Sequence, residues 1–414
     1  MMEINGKADD RKNASLEEHY GKTILPLSIF DNIVRPGGSP IDILFFVKKK
    51  IPIEEFKRTL IKTVEHYNIF SSCLIMIGKD KFGLQYCTDG FIPNVLPDMD
   101  VALSDKIVED FKKKMIHIKT LPGEPLFAVT GVQLQDGILA GVSVSHAVSD
   151  GISILLFLYA WMCITEGKSF LPPSPQKLFK GSPIRFDQID KALIPALSEL
   201  SDKIQHRVKS RDIKVYLKRE YFSEDVLHEI KNKAKLENEK YIISNNQIMN
   251  ALLIKKYHHH ILPDTDRIVL RTPITLRDLH PDIDSSYLGT AIFLSFTPFT
   301  KDEINSMSIS QIAYRIKESI SKARNKDYIK EIAYLSEYGI EFKPDVFKNY
   351  PPYNMNTDII SANMVHLNDL DTMGVGSDLG TILSVEAAMQ TGFTILKEKD
   401  GSIFAEIASM YPLM

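Results

Sequence analysis

The stretch Gly141-Val-Ser-Val-Ser-His146-Ala-Val-Ser-Asp150-Gly151 constrains this chain more than any other, because it sets a histidine at the end of a strand and a carboxylate four residues later. Upstream, Phe127-Ala-Val-Thr-Gly-Val-Gln-Leu-Gln and Ile138-Leu-Ala-Gly-Val-Ser-Val flank Asp136-Gly137. That dipeptide suits a tight turn with positive φ, so the strand feeding His146 reads as one arm of a hairpin. Downstream, Ile152-Ser-Ile-Leu-Leu-Phe-Leu-Tyr-Ala-Trp-Met-Cys-Ile164 is apolar almost all round. It reads as a buried helix, since crossing a bilayer takes about 20 apolar residues. His146 therefore occupies a rigid strand-to-helix corner. With 11 histidines in the chain and Asp and Gly each near one residue in twenty, a chance H-x-x-x-D-G has odds on the order of 3%.

A chain of 414 residues and 46.9 kDa exceeds one ordinary core of about 100 to 200 residues, so two domains are expected. Hydrophobic residues at 44%, charged residues at 25% and a net charge of -3 match a soluble globular protein and offer no electrostatic case for nucleic acid. Cys73, Cys87 and Cys163 are odd in number and scattered without a C-x-x-C pair. They suggest neither a disulfide framework nor a zinc site, and a reducing, cytoplasmic compartment is expected. Residues 1–22 are polar with no apolar core and read as a loose arm rather than a signal peptide.

The remaining elements alternate as two mixed α/β halves. Phe56, Leu60, Val64 and Tyr67, then Ile107, Phe111 and Met115, repeat at helical spacing after Pro52 and Ser104. Ile41 to Val47 reads as a strand begun after Pro40. Closely spaced prolines from Leu171 to Pro183 mark a crossover over about 171–212. The boundaries expected are thus 23–170 for a first domain carrying the histidine motif and 213–414 for a second. In the second, Ile213 to Phe222, Arg267 to Ile274, Thr290 to Phe296 and Ile403 to Ala408 read as strands. A helix starts at Ser223, another at Ser244, where Ser244-Asn-Asn-Gln247 has the form of a capping box, and Ile309, Ile312, Ile316 and Ile320 form a further stripe.

The order of these features resembles the BAHD-type, coenzyme-A-dependent acyltransferases of the chloramphenicol-acetyltransferase-like fold, over most of the chain. Leu25-Pro-Leu-Ser-Ile-Phe-Asp31 is similar to their L-x-L-S-x-x-D opening, and His146 to Gly151 to their H-x-x-x-D-G. Arg277 and Tyr287-Leu-Gly289-Thr290 are similar to their arginine and Y-x-G-N segment, with threonine in place of asparagine, and Ser244 to Ala251 resembles the helix start before it. Their D-F-G-W-G motif is degenerate. Asp371-Thr-Met-Gly374-Val-Gly376 is the favoured counterpart and Asp378-Leu-Gly380 the competitor, neither with the tryptophan, since Trp161 is the only one. The related condensation domains carry two adjacent histidines, and Ser145 stands in place of the first.

The resemblance implies two similar domains, each a mixed sheet flanked by helices, with a channel at their interface. It implies transfer of an acyl group from a thioester, acyl-CoA as co-substrate, to a hydroxyl or amine of a small-molecule acceptor, with no resident cofactor. His146 is then the general base, a task that a neutral imidazole with an ordinary pKa of about 6.5 suits at neutral pH. Asp150 and Gly151 hold the corner, with Arg277 or Arg271 as the partner of Asp150, unless Asp150 orients the imidazole as a triad carboxylate does. Asp371 belongs to the late motif, Ser244, Thr290, Gly374 and Gly376 to the substrate or coenzyme channel, and oxyanion donors fall near Gly374 to Gly376. An acyl carrier protein is the alternative donor, and a silent binding module the alternative of another class. A monomer is expected.

Other conspicuous residues carry no chemistry on this reading. His258-His259-His260 point about 100° apart on a helix and cannot converge on one metal ion, so they read as a solvated C-terminal cap. Lys112-Lys-Lys114 reads as an exposed helix face, and the glycines from Gly374 to Gly380 lack any phosphate-loop spacing.

Overall fold

The computed structural model of this protein describes residues 23–27, 40–78, 81–87, 90–173, 184–185, 215–277, 279, 283–325, 356–365, 381–387, 391–398 and 400–413. In chain order the elements are β1 (Thr23–Pro26), β2 (Ile41–Val47), α1 (Ile53–His66), β3 (Ser72–Gly78), β4 (Lys81–Tyr86), β5 (Phe91–Val95), α2 (Asp105–Lys112), β6 (Phe127–Gln133), β7 (Ile138–Val144), α3 (Gly151–Glu166) and β8 (Ile184–Arg185). They continue with β9 (Tyr216–Phe222), α4 (Glu224–Glu237), α5 (Asn245–Ile261), β10 (Arg267–Thr275), β11 (Ile292–Thr300), α6 (Lys301–Ser306), α7 (Ile309–Ala323), β12 (Asp358–Asn363), β13 (Thr381–Ala387), β14 (Gly392–Lys397) and β15 (Ile403–Ser409). The chain splits into two compact units: Met1–Arg211 with Ser286–Thr290 and Asp378–Ala387, and Asp212–Ser285 with Ala291–Ser377 and Ala388–Met414.

The first unit carries two sheets. One has the order β13-β2-β7-β6-β5, mixed because β5 runs parallel to β6, and the other, β3-β4-β1-β8, is antiparallel. Every residue of β2 and β7 is buried, which explains why Ile43 to Val47 reads as an unbroken apolar run rather than an alternating one. Helix α3 is buried too, and its Trp161 is fully enclosed against Phe45 and Phe56. The indole N–H donates to Thr59 Oγ1 at 3.0 Å, so the largest side chain is buried with its polar atom satisfied. Within the crossover, Ile184–Arg185 pairs with β1 as a short strand.

Two expectations fail in this unit for local reasons. β6 and β7 do form a hairpin, but its loop is four residues long, Gln133 pairing with Ile138, and Gly137 is not among the positive-φ glycines. Its glycine answers to space: a Cβ there would stand 2.2 Å from the Val47 carbonyl oxygen and 2.6 Å from the Phe46 ring. The second concerns sulfur. Cys73 and Cys87 are joined in a disulfide and Cys163 alone is free and buried. The hairpin of β3 and β4 brings together cysteines 14 residues apart, so the argument for a reducing compartment from three free thiols does not stand.

The second unit is one six-stranded sheet, β11-β10-β12-β14-β15-β9, whose centre, β10, β12 and β14, is parallel. Leu253 and Ile254 of α5, Ile312 and Ile316 of α7, and Leu270, Ile359, Phe393 and Ile407 of the strands share its core. The capping box at Ser244 forms, its hydroxyl accepting from Gln247 N while Gln247 Oε1 accepts from Ser244 N at 2.7 Å. Ser308 and Gln311 repeat the device at α7. The strand expected from Thr290 begins at Ile292. His258 contradicts the solvated cap: it is 1% exposed, set four residues from Ile254 and four from Leu262, both buried, so the helix turns it inward.

Candidate active site

Val144 ends β7 and Gly151 begins α3, and the six residues between them are braced at nearly every step. Ser145 N donates to Leu126 O at 2.8 Å, Val148 N donates back to Ser145 O at 3.1 Å, and Ser145 Oγ accepts from Ala147 N and Thr120 Oγ1, each at 3.1 Å. Asp150 is the N-cap of α3, with extended backbone and 1% exposure. Its Oδ1 accepts from Ser153 N at 2.8 Å, satisfying one of the free donors of the first turn. Strand, turn and cap thus aim His146 from two rigid elements.

The His146 imidazole is half-buried, with Nδ1 3.1 Å from Ser149 O. A carbonyl can only accept, so Nδ1 carries the proton and Nε2 keeps the lone pair. Burial holds the pKa of the ring below its ordinary value, while the Asp150 carboxylate and the Ser149 carbonyl act in the opposite direction. The lowered pKa favours the neutral imidazole at physiological pH.

A second segment of the same unit closes on this turn. Gly289, at φ +135°, has a conformation that a side chain would strain, and a Cβ there would meet the Tyr287 hydroxyl at 2.9 Å. Ser153 Oγ donates to Gly289 O at 2.8 Å and accepts from Gly289 N at 3.1 Å. Next to it, the Thr290 hydroxyl shares its one proton between the carbonyl of His146 and, at 3.1 Å, that of Ser149. Thr290 is fully buried, its hydroxyl against the motif turn. Ser149 and Ser153 escaped the sequence reading because nothing in a serine's spacing announces partners 141 and 136 residues away.

The other residues singled out fall in different places. Gly151 opens α3. Arg271, one of the two arginines named as candidate partners of Asp150, pairs with Asp358, Nε to Oδ2 at 2.6 Å, both side chains nearly inaccessible. Arg277 is buried and its backbone N–H donates to Thr275 Oγ1. Ser244 is exposed at its capping box. Asp371, Gly374 and Gly376, with the competing Asp378 and Gly380, lie outside the described residues, as do Ser28 to Asp31 of the opening motif. Among the described residues no three His, Cys, Asp or Glu side chains group as metal ligands, and no helix is long and apolar enough to cross a membrane.

Comparison with known proteins bears on the same residues. Residues 14–367 match the family described as Transferase family. An uncharacterized acetyltransferase of Arabidopsis thaliana is 26% identical over 242 residues, which are 55% of this chain and 53% of that protein, so the chain matches about half the length of this curated relative. Among solved structures, vinorine synthase aligns with a TM-score of 0.65 at 15% identity, covering 94% of this chain and 92% of that one. TRI101 of F. sporotrichioides, crystallised with coenzyme A and T-2, aligns with a TM-score of 0.64 at 12% identity, covering 93% and 94%.

Proposed function

Because this chain belongs to the Transferase family of BAHD-type acyltransferases and has their two-domain, chloramphenicol-acetyltransferase-like fold, we propose that it moves an acyl group from acyl-coenzyme A to a hydroxyl or amine of a small molecule, with His146 as general base. The observation that carries this reading is the hydrogen bond from His146 Nδ1 to Ser149 O, which fixes the tautomer and leaves Nε2 as the basic atom. As the acceptor oxygen or nitrogen attacks the thioester carbonyl, its proton passes to Nε2. The tetrahedral intermediate collapses with loss of the thiolate, which takes the proton back and leaves as free thiol. The depressed pKa of the ring suits it to the first step by keeping it neutral.

In this reading Asp150 and Gly151 keep the corner in shape, Asp371 belongs to the late motif, and backbone donors of Gly374 to Gly376 stabilise the oxyanion. Ser244 contributes to the substrate or coenzyme channel, and Arg277 helps to keep the site in shape. The coenzyme A bound to TRI101 supports coenzyme A as the donor thiol here. Transfer is direct, within a ternary complex, so no acyl-enzyme forms.

The purified protein, given a panel of acyl-CoA thioesters and acyl carrier proteins with alcohols and amines, should release free thiol only when donor and acceptor are both present, with or without a chelator. Mass spectrometry with donor alone should find no adduct. An adduct that forms with donor alone, vanishes on adding acceptor and accompanies ping-pong kinetics contradicts direct transfer, and thiol release from carrier-bound donors alone contradicts coenzyme A as the donor.

A further inference from the structure

The carbonyl of Ser149 does two things at once: it accepts the proton-bearing Nδ1 of His146 and the hydroxyl of Thr290, each at 3.1 Å. A carbonyl oxygen has two lone pairs, and these two donors occupy both. The same Thr290 hydroxyl also reaches the carbonyl of His146 itself. One side chain therefore touches both ends of the His146-to-Ser149 turn, including the atom that decides which ring nitrogen is protonated. We infer that Thr290 is a positioning residue for His146, acting through the Ser149 carbonyl to hold the imidazole as its Nδ1–H tautomer, and that Ser153 is the clasp that keeps Thr290 in place.

Thr290 can act this way only if its own backbone is fixed. Ser153 fixes it by donating to and accepting from the adjacent residue, Gly289, at 2.8 and 3.1 Å. Ser153 is in turn in the first turn of α3, where its own N–H is capped by Asp150. The chain of contacts thus runs from the motif aspartate through Ser153 and Thr290 to the base. All of it is buried: Ser149, Ser153 and Thr290 are each 0% exposed, so water cannot replace a lost hydroxyl. A carbonyl released from Thr290 can swing, and the imidazole loses the fixed acceptor that sets its tautomer, a loss of orientation that lowers turnover without altering substrate contacts.

This inference rests on His146 being the base, so its test has a readout independent of turnover. The ring nitrogens of 15N-histidine-labelled protein, with the His146 signals assigned by their loss in His146→Asn, report the tautomer directly. Thr290→Val, which removes the hydroxyl at nearly constant volume, should mix the tautomers and lower kcat roughly tenfold or more with KM little changed. Thr290→Ser should restore both. Ser153→Ala, which leaves Thr290 intact, should give a milder form of the same defect and serves as the second variant where Thr290→Val does not fold. A His146 that remains an unmixed Nδ1–H tautomer in folded Thr290→Val or Ser153→Ala overturns the inference, whatever happens to kcat. A mixed tautomer with kcat unchanged upholds the hold by Thr290 and overturns His146 as the base, so the two failures are distinct.

Discussion

Asp150 caps the head of α3, where its Oδ1 accepts from Ser153 N at 2.8 Å. Removing such a cap costs about 1 to 2 kcal/mol, and asparagine caps as well as aspartate. Asp150→Ala should therefore cost at least this cap contribution in urea titrations, and Asp150→Asn, which keeps the cap, less. A loss of about 3 to 5 kcal/mol would show in addition that the carboxylate's charge balances a buried cation. His258 gives a second test at this scale. Burial is the first cause of its depressed pKa, the neighbouring His259 adds to it, and the value falls from 6.5 to about 4. A folded-state pKa below the unfolded one means that the unfolded chain binds the proton first, so this contribution is complete above pH 6.5 and is lost as pH falls toward 4. The loss is on the order of 3 kcal/mol, and His258→Gln should flatten that limb of the stability-versus-pH curve. The spacing of three histidines suggested solvent at this helix end, and only the packing of Ile254 and Leu262 on the same side reveals the interior position.

Among elements, the clearest gain over the sequence is the four-stranded sheet of the first unit. Its strands β3 and β4 are paired antiparallel and tied by Cys73–Cys87, while neither strand stands out in periodicity between the strong helix of Phe56 to Val64 and the motif. Their pairing decides that the two cysteines meet, and so the bond was not legible. The bond closes a loop of 14 residues, which by chain entropy corresponds to about 3 kcal/mol. Cys87→Ser, or reduction of the wild type, should lower stability by about 2 to 4 kcal/mol in denaturant titrations, and an unchanged midpoint would show that the hairpin's own pairing suffices. By contrast the helix starts at Ser104, Ser244 and Ser308 and the run Ile152 to Ile164 were legible or nearly so, because a cap or an apolar helix writes its signal within a few residues. Strands β12 and β13 were not, since each is completed by a partner distant in sequence, β10 in the case of β12 and β2 in the case of β13.

For the molecule as a whole, the mixed α/β class and the acyltransferase family were legible from the order of a few motifs, and the family match over residues 14–367 establishes the latter. The interleaving of the units was not, because Ser286–Thr290 and Asp378–Ala387 return to the first unit from within the second half of the chain. That return matters for function: it delivers Gly289 and Thr290 to the turn that carries His146. His146 was legible, while the hydroxyls of Ser153 and Thr290 that brace its turn were not. The most direct measurement is the pH dependence of kcat/KM for thiol release by wild type beside His146→Ala, once a donor and acceptor are in hand and the variant is shown to be folded. The wild type should lose activity on an acid limb whose midpoint lies below 6.5, as its lowered pKa requires, and His146→Ala should fall by at least about a hundredfold with that limb gone. Near-normal turnover in folded His146→Ala, with the acid limb unchanged, would contradict the account.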